Sequence, residues 1–239
     1  MIAFNSDRTG EMNIWLHSLE TRQARRLTEG PGGDFQANWS PDGERIIFFS
    51  SRAGTSDIWC VDVKSGELRR LTTTDSVDVN PFFSPDGKMI AYNSDRSGRP
   101  EVWVMNADGS NARQVTSVGL IGHFLRWDPN GESVIFRCPG SGSPRTMKVS
   151  LSGGEPEPLP EVAGGSHMSF SPDHTRIMDV IGHKSFWVSP LDGGNPEKVF
   201  EFEDPDVRID YPVWSADGGW VLFDCFRPQG GDIWMLENF

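Results

Sequence analysis

Histidine and acidic side chains are the residues of this chain that could carry chemistry. His123, His167 and His183 are three of its five histidines, and imidazole nitrogens are common ligands of transition metals. They are far apart in the sequence and form no compact motif such as His-Glu-x-x-His, in which two ligands share one helix face. The chain also lacks the Gly-x-Ser-x-Gly turn that presents a hydrolase serine. We therefore predict no catalytic residue and no cofactor, with a metal ion held by these three histidines as the alternative.

A repeat of about 44 residues must position these side chains. Five turns of the Ser-Pro-Asp-Gly type each follow an aromatic residue, at spacings of 44, 44, 43 and 44: Trp39, Phe83, Trp127, Phe170 and Trp214. A second series occupies Ile-Trp-like pairs: Trp15, Trp59, Trp103, Met147, Trp187 and Trp234. A fixed period of this length is typical of repeat folds, in which stacked units bury their aromatic residues. We interpret these aromatics as packing residues.

Each repeat contains four short strand patterns, a to d, separated by turns rich in Gly, Pro, Asp and Ser. Four strands per repeat predict an all-β fold, a β-propeller of four-stranded antiparallel blades. The first repeat lacks strand a and the last lacks strand d, which leaves 22 of 24 strands. Six blades are favoured and five are the alternative. The expected domain is a single propeller over 1–239, with repeats at about 1–34, 35–78, 79–122, 123–165, 166–209 and 210–239. An inner strand missing from one blade predicts that the natural protein extends upstream or that something else fills the gap.

The repeat resembles a known family. The order aromatic-Ser-Pro-Asp-Gly, Ile-Ala-Phe/Tyr, Asn-Ser-Asp-Arg-x-Gly, Ile-Trp and Leu-Thr is similar to the WD40-like PD40 repeat of TolB-type β-propellers, and residues 79–116 match it almost throughout. The match weakens at 137–140 and 179–182. The resemblance implies six blades and a bacterial partner-binding module. It is also compatible with a gating or sensory domain of a larger peptidase, kinase or transcription regulator, or with a metal-dependent enzyme resembling oligogalacturonate lyase.

The strand order places the d–a and b–c connections on one face, which varies in sequence and is acidic at Glu29, Asp75 and 201–206. Binding residues are commonly carried by such variable loops. The inner strands begin at this face, so we predict that a channel mouth and acidic rim bind a partner through Asp34, Gln36, Asp78, Asn80, Phe124, His167, Asp210 and Tyr211. Four arginines on the b–c loops are expected to pair with these carboxylates: Arg8, Arg52, Arg96 and Arg227.

Charge narrows the class of partner. The net charge is −12, from 22 basic and 34 acidic residues, and such a field repels phosphate backbones. We expect a protein or peptide partner and no nucleic acid. No apolar run is long enough to span a membrane, and the start of the chain has no signal-peptide pattern. Three cysteines cannot all pair, so buried free thiols are expected, as in a reducing compartment. The function predicted is therefore a non-enzymatic binding scaffold or regulatory module.

Overall fold

The computed structural model describes residues 1–120, 124–140, 145–159, 167–215, 217–227 and 230–237. Within these residues every regular element is a β-strand, and the strands form six small antiparallel sheets. Each sheet is one blade, so the fold is the predicted six-bladed β-propeller. The described residues contain no helix with the length and apolar character needed to cross a membrane.

The first compact unit runs from Met1 to Glu157 and holds blades 1 to 4. Blade 1 has three strands: β1 (Ile2–Ser6), β2 (Asn13–His17) and β3 (Ala24–Arg26). Blade 2 has four: β4 (Asp34–Trp39), β5 (Arg45–Ser50), β6 (Asp57–Asp62) and β7 (Leu68–Arg70). Blade 3 has four: β8 (Asp78–Phe83), β9 (Met89–Ser94), β10 (Glu101–Asn106) and β11 (Arg113–Gln114). Blade 4 has four: β12 (Leu125–Trp127), β13 (Ser133–Cys138), β14 (Arg145–Ser150) and β15 (Glu157–Pro158).

The second compact unit runs from Pro158 to Phe239 and holds blades 5 and 6. Blade 5 has four strands: β16 (Met168–Phe170), β17 (Arg176–Ile181), β18 (Ser185–Pro190) and β19 (Glu197–Glu201). Blade 6 has three: β20 (Arg208–Trp214), β21 (Trp220–Arg227) and β22 (Gly230–Glu237). The three-stranded first and last blades confirm the strand deficit read from the repeat. The inner strands β12 and β16 begin at Leu125 and Met168, each two residues after the predicted start of its repeat.

The Ser-Pro-Asp-Gly turn is held by its own serine and aspartate. In blade 2 the hydroxyl of Ser40 donates to Asp42 at 2.5 Å and accepts the N–H of Arg45 at 2.9 Å. Gly43 takes a φ of +71°, which suits a residue without Cβ. The corresponding hydrogen bond from the serine lowers the pKa of the turn aspartate to about 2 in both Asp86 and Asp173. These hydrogen bonds hold the end of strand a and the start of strand b together at the turn.

The Leu-Thr pair at the end of a repeat has a similar structural role. Thr28, Thr72 and Thr116 are buried, and each hydroxyl accepts a backbone N–H from strand c of its own blade at 2.9–3.0 Å. A buried N–H without a partner would cost about 1–3 kcal/mol. The threonine thus satisfies a backbone donor where the outer strand has ended.

The core consists of apolar side chains stacked between sheets within each unit. In the first unit, Phe48 and Ile46 of β5 pack with Ile14 and Leu16 of β2. In the second, Phe186 of blade 5 packs edge-on against Phe223 of blade 6, with ring centroids 5.0 Å apart. The free, buried state expected for the thiols is confirmed for Cys60, Cys138 and Cys225, and burial raises the pKa of Cys60 and Cys138.

Candidate functional site

Two of the predicted rim carboxylates are bound by arginine inside their own blades. Arg52 contacts both carboxylate oxygens of Asp34 at 2.6 Å, and its guanidinium lies 5.2 Å from the ring centroid of Trp59. In blade 3, Arg96 contacts Asp78 at 2.9 and 3.0 Å and lies 4.6 Å from the ring of Trp103. We call each aspartate–arginine–tryptophan set an arginine stack.

The arginine stacks neutralise their own charge. Asp34 is 1% exposed and Asp78 is fully buried, so neither carboxylate faces a partner. The expected arginine–carboxylate pairing is confirmed for Arg52 and Arg96. Among the described residues Arg8 and Arg227 have no carboxylate partner, although Arg8 lies over Trp15 and Arg227 over Trp234.

The inner strands of three blades share an unusual backbone conformation. Gln36, Asn80 and Tyr211 have φ values of +55°, +60° and +49°, and the strand pairing shifts register next to each of them. All three stand three residues before the aromatic of the turn. Asparagine tolerates the left-handed region, whereas a bulky residue there is uncommon. The conformation thus belongs to a bulge shared by three blades, and in blade 6 a tyrosine occupies it.

Tyr211 belongs to a group of polar and aromatic side chains in the second unit. His167 contacts Asp210 through Nδ1, and Nδ1 of His183 lies 2.8 Å from the other carboxylate oxygen of Asp210. The rings of His167 and Tyr211 are 3.8 Å apart between centroids and tilted by 35°. Asp224 lies opposite Asp210 on the neighbouring strand. We call these five residues the His/Asp cluster.

Burial and charge tune the two carboxylates of the His/Asp cluster in opposite directions. Burial is the largest influence on Asp210 and raises its pKa. The hydrogen bond and charge of His167 and the charge of His183 outweigh burial, so the pKa of Asp210 lies below its ordinary value. At Asp224, burial and the nearby charge of Asp210 raise the pKa to about 6. The cluster therefore holds one ionised carboxylate and one that titrates near neutral pH.

The His/Asp cluster is partly open to solvent. Tyr211 is 37% exposed, and the side chain of His183 is 33% exposed, while His167 and Asp210 are more buried. A ligand could reach the tyrosine ring and the histidine edges together. The arrangement can offer ring stacking, hydrogen bonds and negative charge to one ligand group.

Among the described residues no group of three or more His, Cys, Asp and Glu side chains is arranged to hold a metal ion. Nδ1 of His167 is hydrogen-bonded to Asp210, and Nδ1 of His183 lies 2.8 Å from the same carboxylate without a hydrogen bond in the described part of the chain. His123, the third candidate, lies outside the described residues. We therefore derive no chemistry through a metal.

The remaining predicted site residues are placed elsewhere. Phe124 is buried, with the Arg126 guanidinium 5.5 Å from its ring. Gln36 is half-buried and Asn80 is buried, each beside the aspartate of its own blade. The structure thus brings together His167, Asp210 and Tyr211 of the predicted set. Asp224 was not predicted, although a carboxylate within the apolar run 221–226 is a signal that could have found it.

Comparison with known proteins places the fold. The family model of the TolB β-propeller domain, PD40, matches residues 1–215. TolB of Acinetobacter baumannii superposes with a TM-score of 0.83 at 18% identity, over 98% of this chain and 60% of that one. An oligogalacturonate lyase in complex with manganese gives a TM-score of 0.63 at 16% identity, over 99% of this chain and 85% of the lyase. An uncharacterized protein of Agrobacterium fabrum is 38% identical over 47 residues, 20% of this chain and 16% of its own length.

These similarities differ in how much they show about this chain. The structural neighbours are too distant in sequence to show more than a shared fold. The chain spans about 60% of the Acinetobacter TolB and a smaller part of the Agrobacterium protein, so activities of a whole relative do not transfer directly. The family model, in contrast, covers most of the chain and agrees with the repeat and the blades. This chain belongs to the PD40 family of TolB β-propeller domains.

Proposed function

We propose that this propeller is a non-enzymatic binding module for a protein or peptide, and that the His/Asp cluster is its binding site. One observation carries the proposal: a solvent-exposed tyrosine at a positive φ is packed on a histidine that is itself bound to a buried aspartate. Backbone strain of this kind costs about 1–3 kcal/mol and persists only where the surrounding structure holds it, here at the register shift between β20 and β21.

The chemistry of the site favours a basic peptide group. Tyrosine combines a flat apolar ring with a hydrogen-bonding hydroxyl, which is why it is enriched at binding sites. Asp210 precedes Tyr211 and pairs with Asp224 across the sheet, which puts negative charge in the cluster, and the whole chain carries a net charge of −12. A lysine or arginine side chain, or a peptide amino terminus, could stack on Tyr211 while its charge faces the carboxylates.

Membership of the TolB family supports this proposal only at the level of the fold. A propeller is a rigid scaffold that presents loops around its strand ends, and the same fold hosts many functions. The proposal therefore depends on the His/Asp cluster itself.

The test is a selection followed by a binding measurement. Peptides selected from a random display library against the immobilised chain should be enriched in Lys and Arg. Calorimetry should then show that Tyr211→Ala and His167→Gln each weaken the selected peptide about tenfold or more, as expected for central contacts. Ser97→Ala, at an exposed loop position of blade 3, is the matched control and should bind normally. No selectable peptide, or equal binding by all variants, would refute the proposal.

A metal-dependent enzyme resembling oligogalacturonate lyase is the second candidate. The observation in its favour is that two histidines share one carboxylate on a chain whose fold is similar to that of a manganese-bound lyase. Against it stands the net charge, which repels an acidic sugar polymer. Titration with Mn²⁺ followed by calorimetry separates the candidates: the binding-module proposal predicts no saturable Mn²⁺ site that is lost in His167→Gln.

A further inference from the structure

Blade 6 has an arginine at the position that the arginine stacks use in blades 2 and 3. Each stack arginine stands two residues beyond the serine that pairs with the stack aspartate, five residues before the turn aromatic. Counted in the same way, the corresponding pair in blade 6 is Ile209 and Cys225, and two residues further lies Arg227. Its guanidinium lies 5.8 Å from the ring centroid of Trp234. The arginine and the tryptophan of a stack are therefore both present.

The carboxylate is the part of the stack that blade 6 lacks. Ile209, which is fully buried, occupies the position of the stack aspartate in strand a. Asp210 comes one residue later and contacts two imidazoles instead. Strand a itself, β20, and the segment 202–207 before it are both described. The carboxylate is therefore missing because of the residue type at position 209, and not because a strand is absent.

The guanidinium of Arg227 is open to solvent. The side chains of Arg52 and Arg96 are 10% and 16% exposed in their complete stacks, whereas Arg227 is an exposed residue. In blade 3 a serine accepts the arginine Nε at 2.9 Å, and in blade 6 Cys225 stands in its place. No carboxylate among the described residues contacts Arg227. A guanidinium stacked on a ring keeps its planar fork of N–H donors for another acceptor.

We propose that Arg227 and Trp234 bind a carboxylate of a peptide partner, in the place that an internal aspartate takes in blades 2 and 3. The planar guanidinium matches a carboxylate in shape and binds it through charge-assisted hydrogen bonds. Phe226, the neighbour of Arg227 in β21, is 46% exposed, and this apolar surface favours a peptide over a small free anion. The site uses different residues from the His/Asp cluster and does not depend on it.

The net charge of the chain narrows the ligand further. A net charge of −12 repels anions at long range, and polyanions are repelled most. The repulsion is screened beyond about 8 Å at physiological ionic strength, so it acts weakly on a single carboxylate in contact with the guanidinium. The expected ligand is therefore an isolated carboxylate, either the side chain of Asp or Glu or the carboxyl terminus of a peptide.

The first measurement uses acetate as the probe. Two-dimensional NMR of the arginine Nε–H groups in the whole chain should show a saturable shift of the Arg227 signal, which Arg227→Gln identifies by its loss. The signal of Arg208, an exposed arginine of β20, should need at least about tenfold more acetate. The signals of Arg52 and Arg96 should stay fixed, because their stacks are already occupied. Sodium chloride and acetamide are the controls for ionic strength and for an uncharged ligand.

A variant of strand a tests whether the site is an open stack. Ile209→Asp supplies an aspartate at the register position used in blades 2 and 3, and should abolish the acetate shift of Arg227. Ile209→Asn has nearly the same shape without the charge and is the matched control, which should keep the shift. Both variants remove a buried isoleucine, so thermal melting checks that each is folded during the titration.

Three short peptides separate the two sources of a carboxylate and do not depend on the Ile209 variants. Acetyl-Ala-Phe-Asp-Ala-amide presents a side-chain carboxylate, acetyl-Ala-Phe-Ala presents a terminal one, and acetyl-Ala-Phe-Asn-Ala-amide presents neither. The backbone amide of Phe226 should respond to one of the first two peptides at a concentration at least about tenfold lower than to the third. In Arg227→Gln the three peptides should become equivalent, because the interaction partner of the carboxylate is gone.

Four results would overturn the proposal. The first is an Arg227 signal that follows chloride as closely as acetate, which would be screening alone. The second is an acetate shift that persists in folded Ile209→Asp, and the third is equal binding of all three peptides by the wild-type chain. The fourth is a response to inorganic phosphate at about tenfold lower concentration than to acetate, which would make a phosphate group the ligand. Tyr211→Ala should leave all of these readouts unchanged, so failure here and failure of the proposed function are distinguishable.

Discussion

The arginine stacks of blades 2 and 3 and the His/Asp cluster of the second unit are two uses of the same part of the repeat. Asp34 and Asp78 open their inner strands and pair with a serine across the sheet. In blade 6 the equivalent position is Ile209, which pairs with Cys225, and the aspartate comes one residue later. Successive residues of a strand point to opposite faces, so this shift of one position turns the carboxylate away from the arginine.

The two regions differ in whether their carboxylates are paired with an arginine. In the stacks, one guanidinium nitrogen of the arginine contacts both oxygens of each buried aspartate, so neither oxygen is left for a ligand. In the His/Asp cluster, Asp210 contacts two imidazoles and the N–H of Tyr211 and lies opposite Asp224, and the exposed tyrosine ring packs on His167. The stacks thus contain paired, buried charges, whereas the His/Asp cluster, the proposed binding site, has polar groups that reach solvent.

The largest loss of stability is expected from removing the aspartate of an arginine stack. Asp78→Ala leaves the mostly buried Arg96 without its carboxylate, and breaking a buried pair from one side costs about 3–5 kcal/mol. Urea unfolding followed by tryptophan fluorescence measures this loss. The exposed turn change Lys88→Ala is the control and should stay within about 0.5 kcal/mol. A loss below about 1 kcal/mol in Asp78→Ala would mean that the stacks are not structural.

Removing the charge of Asp224 from the His/Asp cluster should instead increase the free energy of unfolding. The pKa of Asp224 is raised to about 6 in the folded chain, against an ordinary value of 3.8. Its ionised form therefore destabilises the fold, by up to about 3 kcal/mol above pH 6 for a shift of about two units. As the pH falls from 6 to 4 the folded chain takes up the proton and the penalty disappears.

The variant Asp224→Asn tests whether the ionised carboxylate destabilises the fold. The variant should be more stable than the wild type at pH 8, and the difference in free energy of unfolding should vanish near pH 4. Chemical unfolding at both pH values measures it. If Asp224→Asn were destabilising at pH 8, the carboxylate would be a structural anchor like Asp78, and the contrast between the two regions would fail.

A smaller loss of stability is expected from removing a neutral hydrogen bond within a blade. Thr72→Val removes the hydroxyl that accepts the N–H of Ile58 at 3.0 Å and leaves that donor buried. The cost should be about 1–3 kcal/mol. Thr73→Val, at the exposed neighbouring position, is the matched control for urea unfolding. Equal stability of the two variants would show that the Leu-Thr pair has no role in the blade.

The smallest change in stability is expected at Tyr211. Tyr211→Gly relieves a positive φ but removes the ring that packs on His167, and these effects oppose each other. The free energy of unfolding should therefore change by no more than about 1 kcal/mol, while binding of a selected basic peptide is lost. A large destabilisation would place Tyr211 with the packing residues.

Much of the fold could be predicted from sequence because the repeat contains residue types whose local geometry is restricted. The Ser-Pro-Asp-Gly turn and the periodic aromatics require blades, and counting them gives the three-stranded first and last blades. The arginine–aspartate pairing also followed from strand order. The positive φ of Gln36 and Tyr211 did not, since neither residue type favours it and the register shift that imposes it depends on the neighbouring strand.

The His/Asp cluster was only partly predictable for a related reason. Strand order places His167, Asp210 and Tyr211 near one strand end, but contact requires knowledge of side-chain direction. Asp224 reaches the cluster because it pairs with Asp210 across a bulge. Asp34 and Asp78 stand five residues before the aromatic of the turn and Asp210 stands four before it. The prediction of one shared acidic rim overlooked this difference of one position.

The five histidines provide the most direct test of the proposed binding site. A two-dimensional NMR titration with a selected basic peptide reports each imidazole separately in one sample. We expect the signals of His167 and His183 to shift on binding, while those of His17 and His174, which lie outside the cluster, stay fixed. Shifts at His17 or His174 with unchanged signals from His167 and His183 would contradict the claim that the His/Asp cluster is the binding site.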